Sequence, residues 1–357
     1  MTQTITVKIP LNPTKKQLEM IKDGCQEYII LINDLVSEMV VDKKATEKTS
    51  KDIDAKLNST VKAQAVRDAK SVFQKVKKSH YKTIPVLKKP QIVWNNQNYK
   101  IKSNVIELPF MIEGKSKRIP LRIRLTDRMT SLIANGKLGS LRITQKNKKW
   151  VAQLSITLKS NECLEGQAMG VDLGILVPAV AKTESGKVKF FGNGRQNKYY
   201  KRKYKSRRRK LGKLKKLSAI KKLADKEQRY MDNQDHKVSR QIVNFAKTNN
   251  VKTIRLECLE GIRNTTKISR KNMKNLHTWS FYRLAQYIQY KANLEGIRVE
   301  YVDPKYTSQT CPHCGQRHKA KGRSYVCGDC GFKTHRDLVG ATNILKAPVI
   351  DGNSQSA

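Results

Sequence analysis

Residues 4–9 alternate apolar and polar side chains, as a strand with one buried face does. The period then changes. Asn12-Pro13-Thr14 reads as a helix start with Thr14 as its cap, and up to about Lys78 apolar residues return every three or four positions, as at Leu18, Ile21, Cys25, Ile29 and Ile32. A polar stretch, residues 43–51, separates two helical blocks. Beyond Pro85 and Pro90, short alternating runs take over at 99–103, 105–110, 118–125, 141–144 and 150–157, with 145–149 as a hairpin turn. This pattern predicts an antiparallel barrel or sheet that takes its first strand from the N-terminus and carries the helices as an insertion. From Ala168 strands alternate with helices: strands at 169–172, 177–183 and 188–191, a long helical stretch at 195–249, a strand at 251–257, a helix at about 281–295 and a strand at 298–302. The expected class is therefore multidomain, α/β plus β.

Charge narrows the function. The 357 residues hold 73 Lys and Arg against 29 Asp and Glu, a net charge of +44. Such a surplus repels itself, and a polyanion is its natural neutraliser, with counterion release supplying binding free energy. A nucleic-acid partner is expected, and no membrane: no apolar run is long enough to span a bilayer and no signal peptide opens the chain. A cytoplasmic, nucleoid-associated location follows. Aromatic residues make up only 6%, so Val, Ile and Leu carry the packing; Trp94 and Trp150 read as core anchors rather than base-stacking groups.

Acids are scarce, and three stand at the ends of elements. Asp172 ends the apolar run of Gly170-Val171-Asp172-Leu173-Gly174, Glu257 ends the run that begins at Val251, and Asp337 precedes the small residues Gly340 and Ala341, which permit close helix packing. Singly, each has an ordinary use: a turn cap, a surface ion pair, an N-cap. Together, converging carboxylates would repel one another unless cations bridge them. Hard oxygen donors suit magnesium, and two ions about 4 Å apart suit phosphodiester cleavage. Glu260 is the rival of Glu257, but it lies in the loop before Gly261 rather than at the strand end.

Of seven cysteines, Cys311, Cys314, Cys327 and Cys330 form C-x2-C-x12-C-x2-C, each pair followed by glycine. That spacing predicts a structural Zn2+ site, since four thiolates leave no open position for water. Cys25, Cys163 and Cys258 read as small core residues, and His313, His318 and His335 as phosphate-facing or solvent-facing groups. The most basic segment, 198–222, carries Lys201, Arg202, Lys205, Arg207, Arg208 and Arg209 as candidate contacts to a nucleic-acid backbone. Its Leu211, Leu214 and Leu217 form a stripe for docking on the core, and Tyr199, Tyr200 and Tyr204 are candidates for stacking. A second basic patch spans residues 75–89.

The run Gly170–Ile175, the strand ending at Glu257, Thr307-Ser308-Gln309-Thr310-Cys311-Pro312-His313-Cys314-Gly315, and His335-Arg336-Asp337-Leu338-Val339-Gly340-Ala341-Thr342-Asn343-Ile344 resemble the TnpB family, the OrfB type with a zinc ribbon, related to type V CRISPR effectors. The resemblance spans essentially the whole chain, in the order acid, acid, ribbon, acid. It implies a prokaryotic, transposon-encoded, RNA-guided DNA endonuclease with a split RuvC (ribonuclease H-like) nuclease domain, two catalytic Mg2+ ions on Asp172, Glu257 and Asp337, one protein per guide RNA, and a double-stranded DNA target beside a short motif. The implied domains are 1–10 with 86–160 (a wedge-like β-barrel), 11–85 (helical recognition), 161–305 with 334–347 (nuclease), 306–333 (ribbon) and 348–357 (a disordered tail). One position departs: Val339 stands where the family usually has Asn. Rival readings are a nuclease-silent RNA-guided repressor, a small type V CRISPR effector and a DNA transposase.

Overall fold

The structure is a computed structural model that describes residues 2–79, 84–147, 149–223, 225–259, 280–320 and 322–350; Glu260 and part of the 75–89 patch lie outside them. The chain divides into two compact units, Thr4–Leu158 and Met1–Gln3 with Lys159–Ala357. No described helix is long and apolar enough to cross a membrane.

In the first unit, strand β1 (Thr2–Pro10) leads into helix α1 (Lys15–Val41). Thr14 caps this helix as the sequence predicts: its hydroxyl accepts from the Gln17 amide at 3.3 Å, and the Gln17 side chain accepts from the Thr14 amide at 3.0 Å. The reciprocal pair satisfies two N–H groups that a first turn leaves without partners. α1 buries Ile21, Cys25, Tyr28 and Ile32; α2 (Ser59–Ser79) buries Val61, Ala65, Ala69 and Phe73. Strands β2 (Gln91–Trp94), β6 (Lys137–Lys146) and β7 (Lys149–Lys159) join β1 in the order β1-β7-β6-β2, while β3 (Lys100–Lys102), β4 (Val105–Ile112) and β5 (Lys115–Arg122) form a second sheet. Residues of both helices and both sheets share one core, in which Trp94 meets Phe110 edge-on at 5.4 Å. Trp94 and Trp150 are buried anchors, as expected.

Two features differ from expectation. Helix α3 (Asp127–Asn135) follows β5; its Met129, Leu132 and Ile133 lie at helical spacing and pack partly buried against the core, but a run of nine residues is too short to stand out from the flanking strands. The strands form two sheets joined by a bridge between Leu11 and Ile123, and the described residues do not close the ladder into a barrel.

The second unit is built on one sheet in the order β10-β9-β8-β11-β12: β8 (Gln167–Leu173), β9 (Ala179–Thr183), β10 (Val188–Phe191), β11 (Val251–Glu257) and β12 (Arg298–Val302). β8, β9 and β10 form an antiparallel meander, whereas β11 lies parallel to β8 and β12 parallel to β11. The long helical stretch is three helices, α4 (Gly194–Lys213), α5 (Leu217–Leu223) and α6 (Lys226–Thr248). The break after α4 passes through Lys215 at φ 51°. It throws Leu214 and Leu217 into solvent, 54% and 65% exposed, so the expected leucine stripe does not dock. α7 (Phe281–Leu294) connects β11 and β12. A short hairpin, β13 (Ser324–Val326) and β14 (Lys333–His335), precedes α8 (Arg336–Lys346).

Strand periodicity assigns the two faces of this sheet. Met169, Val171, Ile254 and Leu256 pack with Ile242, Val243, Ile288 and Ala292 of α6 and α7. Gly170 and Arg255 point the other way, toward α8: Gly170 abuts Ala341 and Leu345, and Arg255 donates to the Leu345 carbonyl at 2.6 Å. The expected tail does not begin at 348. Val349 bridges to Val302 and the Ile350 amide donates to Tyr301 at 2.9 Å, because the outer edge of β12 still had backbone groups to pair; residues 351–357 lie outside those described.

Candidate active site and metal centre

Asp172 is the penultimate residue of β8 and Glu257 the last of β11, both on the α8 face. The parallel register sets Val171 opposite Leu256, so the two acids occupy adjoining positions at the carboxyl ends of neighbouring strands. Asp337, in the first turn of α8, joins them because that helix sits directly on the β8 backbone. A Cβ at Gly170 would lie 2.2 Å from the Ala341 carbonyl oxygen, and a Cβ at Gly340 would lie 2.9 Å from the Asp172 carboxylate. The glycines thus allow the helix to approach until Asp172 feels the charges of both Glu257 and Asp337.

The electrostatics are those of crowded carboxylates. Burial pushes the Asp172 carboxyl well above its ordinary range, and the charges of Glu257 and Asp337 push it further, against the pull of Arg336 and Arg323. Burial raises Glu257 as well, opposed by the hydrogen bond that Thr307 donates to it. Asp337 is 6% exposed and is gripped by Arg323, whose Nη1 reaches its two carboxylate oxygens at 2.7 and 2.9 Å. Oxygen donors, burial and mutual repulsion are the properties of a divalent-cation site.

Thr307 and Arg323 were missed in the sequence. Thr307 stands within the quoted cysteine motif, where nothing but the folded path of the chain ties it to Glu257. Arg323 is one of 73 basic residues, and its role appears only once the ribbon is closed.

The sulfurs of Cys311, Cys314, Cys327 and Cys330 all lie within 4.8 Å of one another. Gly315 and Gly331 follow the pairs with φ of 78° and 69°, and their amides donate back to Cys311 and Cys327 at 2.9 and 3.2 Å. A side chain there would be strained, so these glycines close the two knuckles. The histidines are not added to the thiolate set. His318 pairs with Asp329 at 2.5 Å, His335 accepts from the Asp337 amide at 3.3 Å as an N-cap, and His313 lies parallel to Phe332. Cys25 is buried as expected, but Cys163 and Cys258 are half-exposed, the first before β8 and the second just past the end of β11, where packing is incomplete.

On α4, Lys201, Arg202, Lys205 and Arg208 line one cleft of about 240 Å³ together with Lys198; across it stand Glu227 and Asp235 of α6, and Gly174 just past Asp172. Helical spacing explains the set, since 198, 201, 205 and 208 fall three or four apart. Arg208 is tied to Glu227 at 2.6 Å. Arg207 and Arg209 face solvent outside the cleft. Tyr200 stacks on Tyr230 at 4.0 Å between ring centroids.

Comparison with known proteins bears on this arrangement. The description "Probable transposase", of the OrfB type, matches residues 151–263, and "Cas12f1-like, TNB domain" matches 281–344. A TnpB-like protein of Methanocaldococcus jannaschii is 33% identical over 37% of the chain and 48% of its own length. A putative transposase of the same organism is 32% identical over 20% of the chain and 74% of its own length. The chain belongs to the TnpB family. A Cas12f1 endodeoxyribonuclease of Sulfoacidibacillus thermotolerans is 29% identical over 58% of the chain and 52% of that protein. The chain thus spans about half the length of the curated relatives it first matches. A solved structure of a Cas12f1–sgRNA–target DNA complex shares the fold, with a TM-score of 0.72 at 17% identity over 94% of this chain and 84% of that one.

Within the TnpB family the departure at Val339 now has a physical account. The side chain is fully buried with Cys311, Tyr325 and Cys327, so it fastens α8 to the ribbon. Asn343, one turn later, donates to the carbonyls of Thr307 and Thr310, both at 2.7 Å.

Proposed function

We propose that this chain is a magnesium-dependent, RNA-guided DNA endonuclease of the RuvC type, with a ribonuclease H-like nuclease fold, and that its four-cysteine ribbon holds zinc. The observation that carries the reading is that Asp172, at the carboxyl end of one strand, feels the charges of both Glu257, at the end of the parallel neighbour, and Asp337, at the start of one helix. The strand order β10-β9-β8-β11-β12, three antiparallel and two parallel, supports the nuclease fold. Zinc is supported by sulfur spacings of 3.7 Å for Cys311–Cys330 and 3.5 Å for Cys314–Cys327, close to the roughly 3.8 Å edge of a tetrahedron with 2.3 Å bonds.

Two magnesium ions, held by Asp172, Glu257 and Asp337, would activate water and stabilise the leaving oxygen of a phosphodiester. The protein's own contribution is positioning. Thr307 fixes Glu257 by engaging one of its oxygens. Arg323 restrains Asp337, and once that carboxylate turns to a cation the guanidinium has donors to offer a phosphate. The cleft along α4 supplies cations beside the acids for the backbone of guide RNA or DNA. We assign reading of a short motif beside the target to the unit Thr4–Leu158, with guide pairing supplying sequence specificity.

The test is to co-express the chain with its flanking genomic DNA, sequence the RNA that copurifies, and supply magnesium and matching double-stranded DNA. One defined RNA and RNA-directed cutting that disappears in Asp172→Asn are expected. Defined RNA with binding but no cutting would make the protein a repressor, and joining of transposon ends without RNA would make it a transposase.

A further inference from the structure

Between β12 and the ribbon the chain passes through Tyr306, whose φ is 60°. This left-handed conformation is uncommon for any residue with a Cβ and strained for a bulky one. A turn holds it: the Tyr306 carbonyl accepts from the amides of Gln309 and Thr310 at 2.9 Å and from the Thr310 hydroxyl at 3.1 Å. The strain does not serve burial, since Tyr306 is 46% exposed. It serves to present the ring. The guanidinium of Arg317, an exposed ribbon residue, lies over that ring at 3.9 Å from its centroid. The backbone around both is braced by a bridge between Thr310 and Arg317. The next residue is Thr307, which donates to Glu257. A ring covered on one face by a guanidinium therefore stands one residue from a group that touches an acid of the candidate site.

We propose that Tyr306 and Arg317 form a stacking platform for an unpaired nucleobase of the DNA strand entering the acid site, an assignment that rests on the nuclease reading above. Guanidinium planes and aromatic rings accept any base, because every base has a π face. The cation favours the phosphates on either side of that base in a chain already strongly positive. A base pinned there fixes the strand laterally without sequence preference. Tyr306 and Arg317 are thus positioning residues, and the acids carry the chemistry.

The experiment uses the full-length protein without magnesium and a single-stranded deoxyoligonucleotide containing 5-iodouracil, irradiated and mapped by mass spectrometry. An adduct at Tyr306 is expected in the wild type and in Tyr306→Phe, falling on the order of 10-fold in Arg317→Ala as one stacking layer is removed. Adducts confined to the tyrosines of α4 would overturn the proposal. Cleavage kinetics provide the second arm. Tyr306→Gly removes the ring and also relieves the backbone strain, so the fold and metal content stay intact. Its KM should rise on the order of 10-fold with kcat within about twofold. An unchanged KM in that folded variant would overturn the platform. If the wild type cuts no DNA, the nuclease reading fails, while the adduct still decides the platform.

Discussion

Replacing Gly170 by alanine isolates the contact that brings the third acid to the other two. The added Cβ would lie 2.2 Å from the Ala341 carbonyl oxygen, 2.7 Å from the Leu345 amide nitrogen and 3.0 Å from the Leu345 Cβ. The two closest atoms are backbone of α8, so no change of rotamer relieves the clash. Ordinary contact begins near 3.4 Å, which requires the helix to withdraw by roughly 1 Å. Asp337 travels with it, being in the first turn of α8. A misplacement of about 1 Å costs on the order of 100-fold in rate, whereas overpacking costs only about 1–3 kcal/mol of stability. The variant should therefore fold, keep its metal and bind target DNA, yet cut about 100-fold more slowly in single-turnover assays with magnesium. Cutting within about threefold of the wild type, in folded protein, would refute the claim that this contact sets the site. Gly340→Ala is the internal control. Its Cβ would meet the end of the Asp172 side chain, at 2.9 Å, rather than backbone, so it should slow cutting with a smaller loss of stability.

Three further outcomes are expected. Cys327→Ser should lower bound zinc, read by elemental analysis, from roughly one ion per chain toward none, and slow cutting on the order of 100-fold with it. Arg323→Ala should slow cutting about 10- to 100-fold, and Arg323→Lys should restore part of it, since one nitrogen, Nη1, makes both contacts to Asp337; full activity in Arg323→Ala would show that the ion pair is incidental. Replacing Lys201, Arg202 and Lys205 by alanine should weaken nucleic-acid binding regardless of sequence and flatten the logarithmic salt dependence by about 0.9 per lost phosphate contact; an unchanged slope would exclude the cleft from backbone contact.

What could be read in the sequence was whatever one residue and its near neighbours determine. The Thr14 cap, the cysteine spacing and the strand ends at Asp172 and Glu257 are local, and the fold keeps all of them. The leucine stripe at Leu211, Leu214 and Leu217 failed because it assumed one continuous helix through Gly212, whose carbonyl accepts from the Lys215 amide at 3.0 Å where the helix breaks. α3 was overlooked because its nine residues, with Met129, Leu132 and Ile133 only partly buried, are too few to establish a period. Arg323 and Thr307 could not be singled out because their partners lie 14 and 50 positions away, and only closure of the ribbon and the sheet joins them.

That closure passes through one helix. On α8, Asp337, Gly340, Ala341 and Leu345 face the sheet, at spacings of three and four, while Val339 and Asn343 face the ribbon. The same eleven residues therefore carry an acid of the candidate site and part of the ribbon's core. The ribbon returns the connection twice, through Arg323 to Asp337 and through the segment at Thr307 to Glu257. A metal bound by the four cysteines would hold Tyr325, Cys311 and Cys327 around Val339 and so brace the helix on a face other than the one that meets Gly170. A site in which two carboxylates press on Asp172 needs such bracing from outside, because their repulsion opposes the approach in the absence of a cation. On this account the ribbon belongs to the catalytic architecture, which is why loss of its metal and a single methyl at Gly170 should converge on the same defect: slow chemistry in a protein that still binds its target.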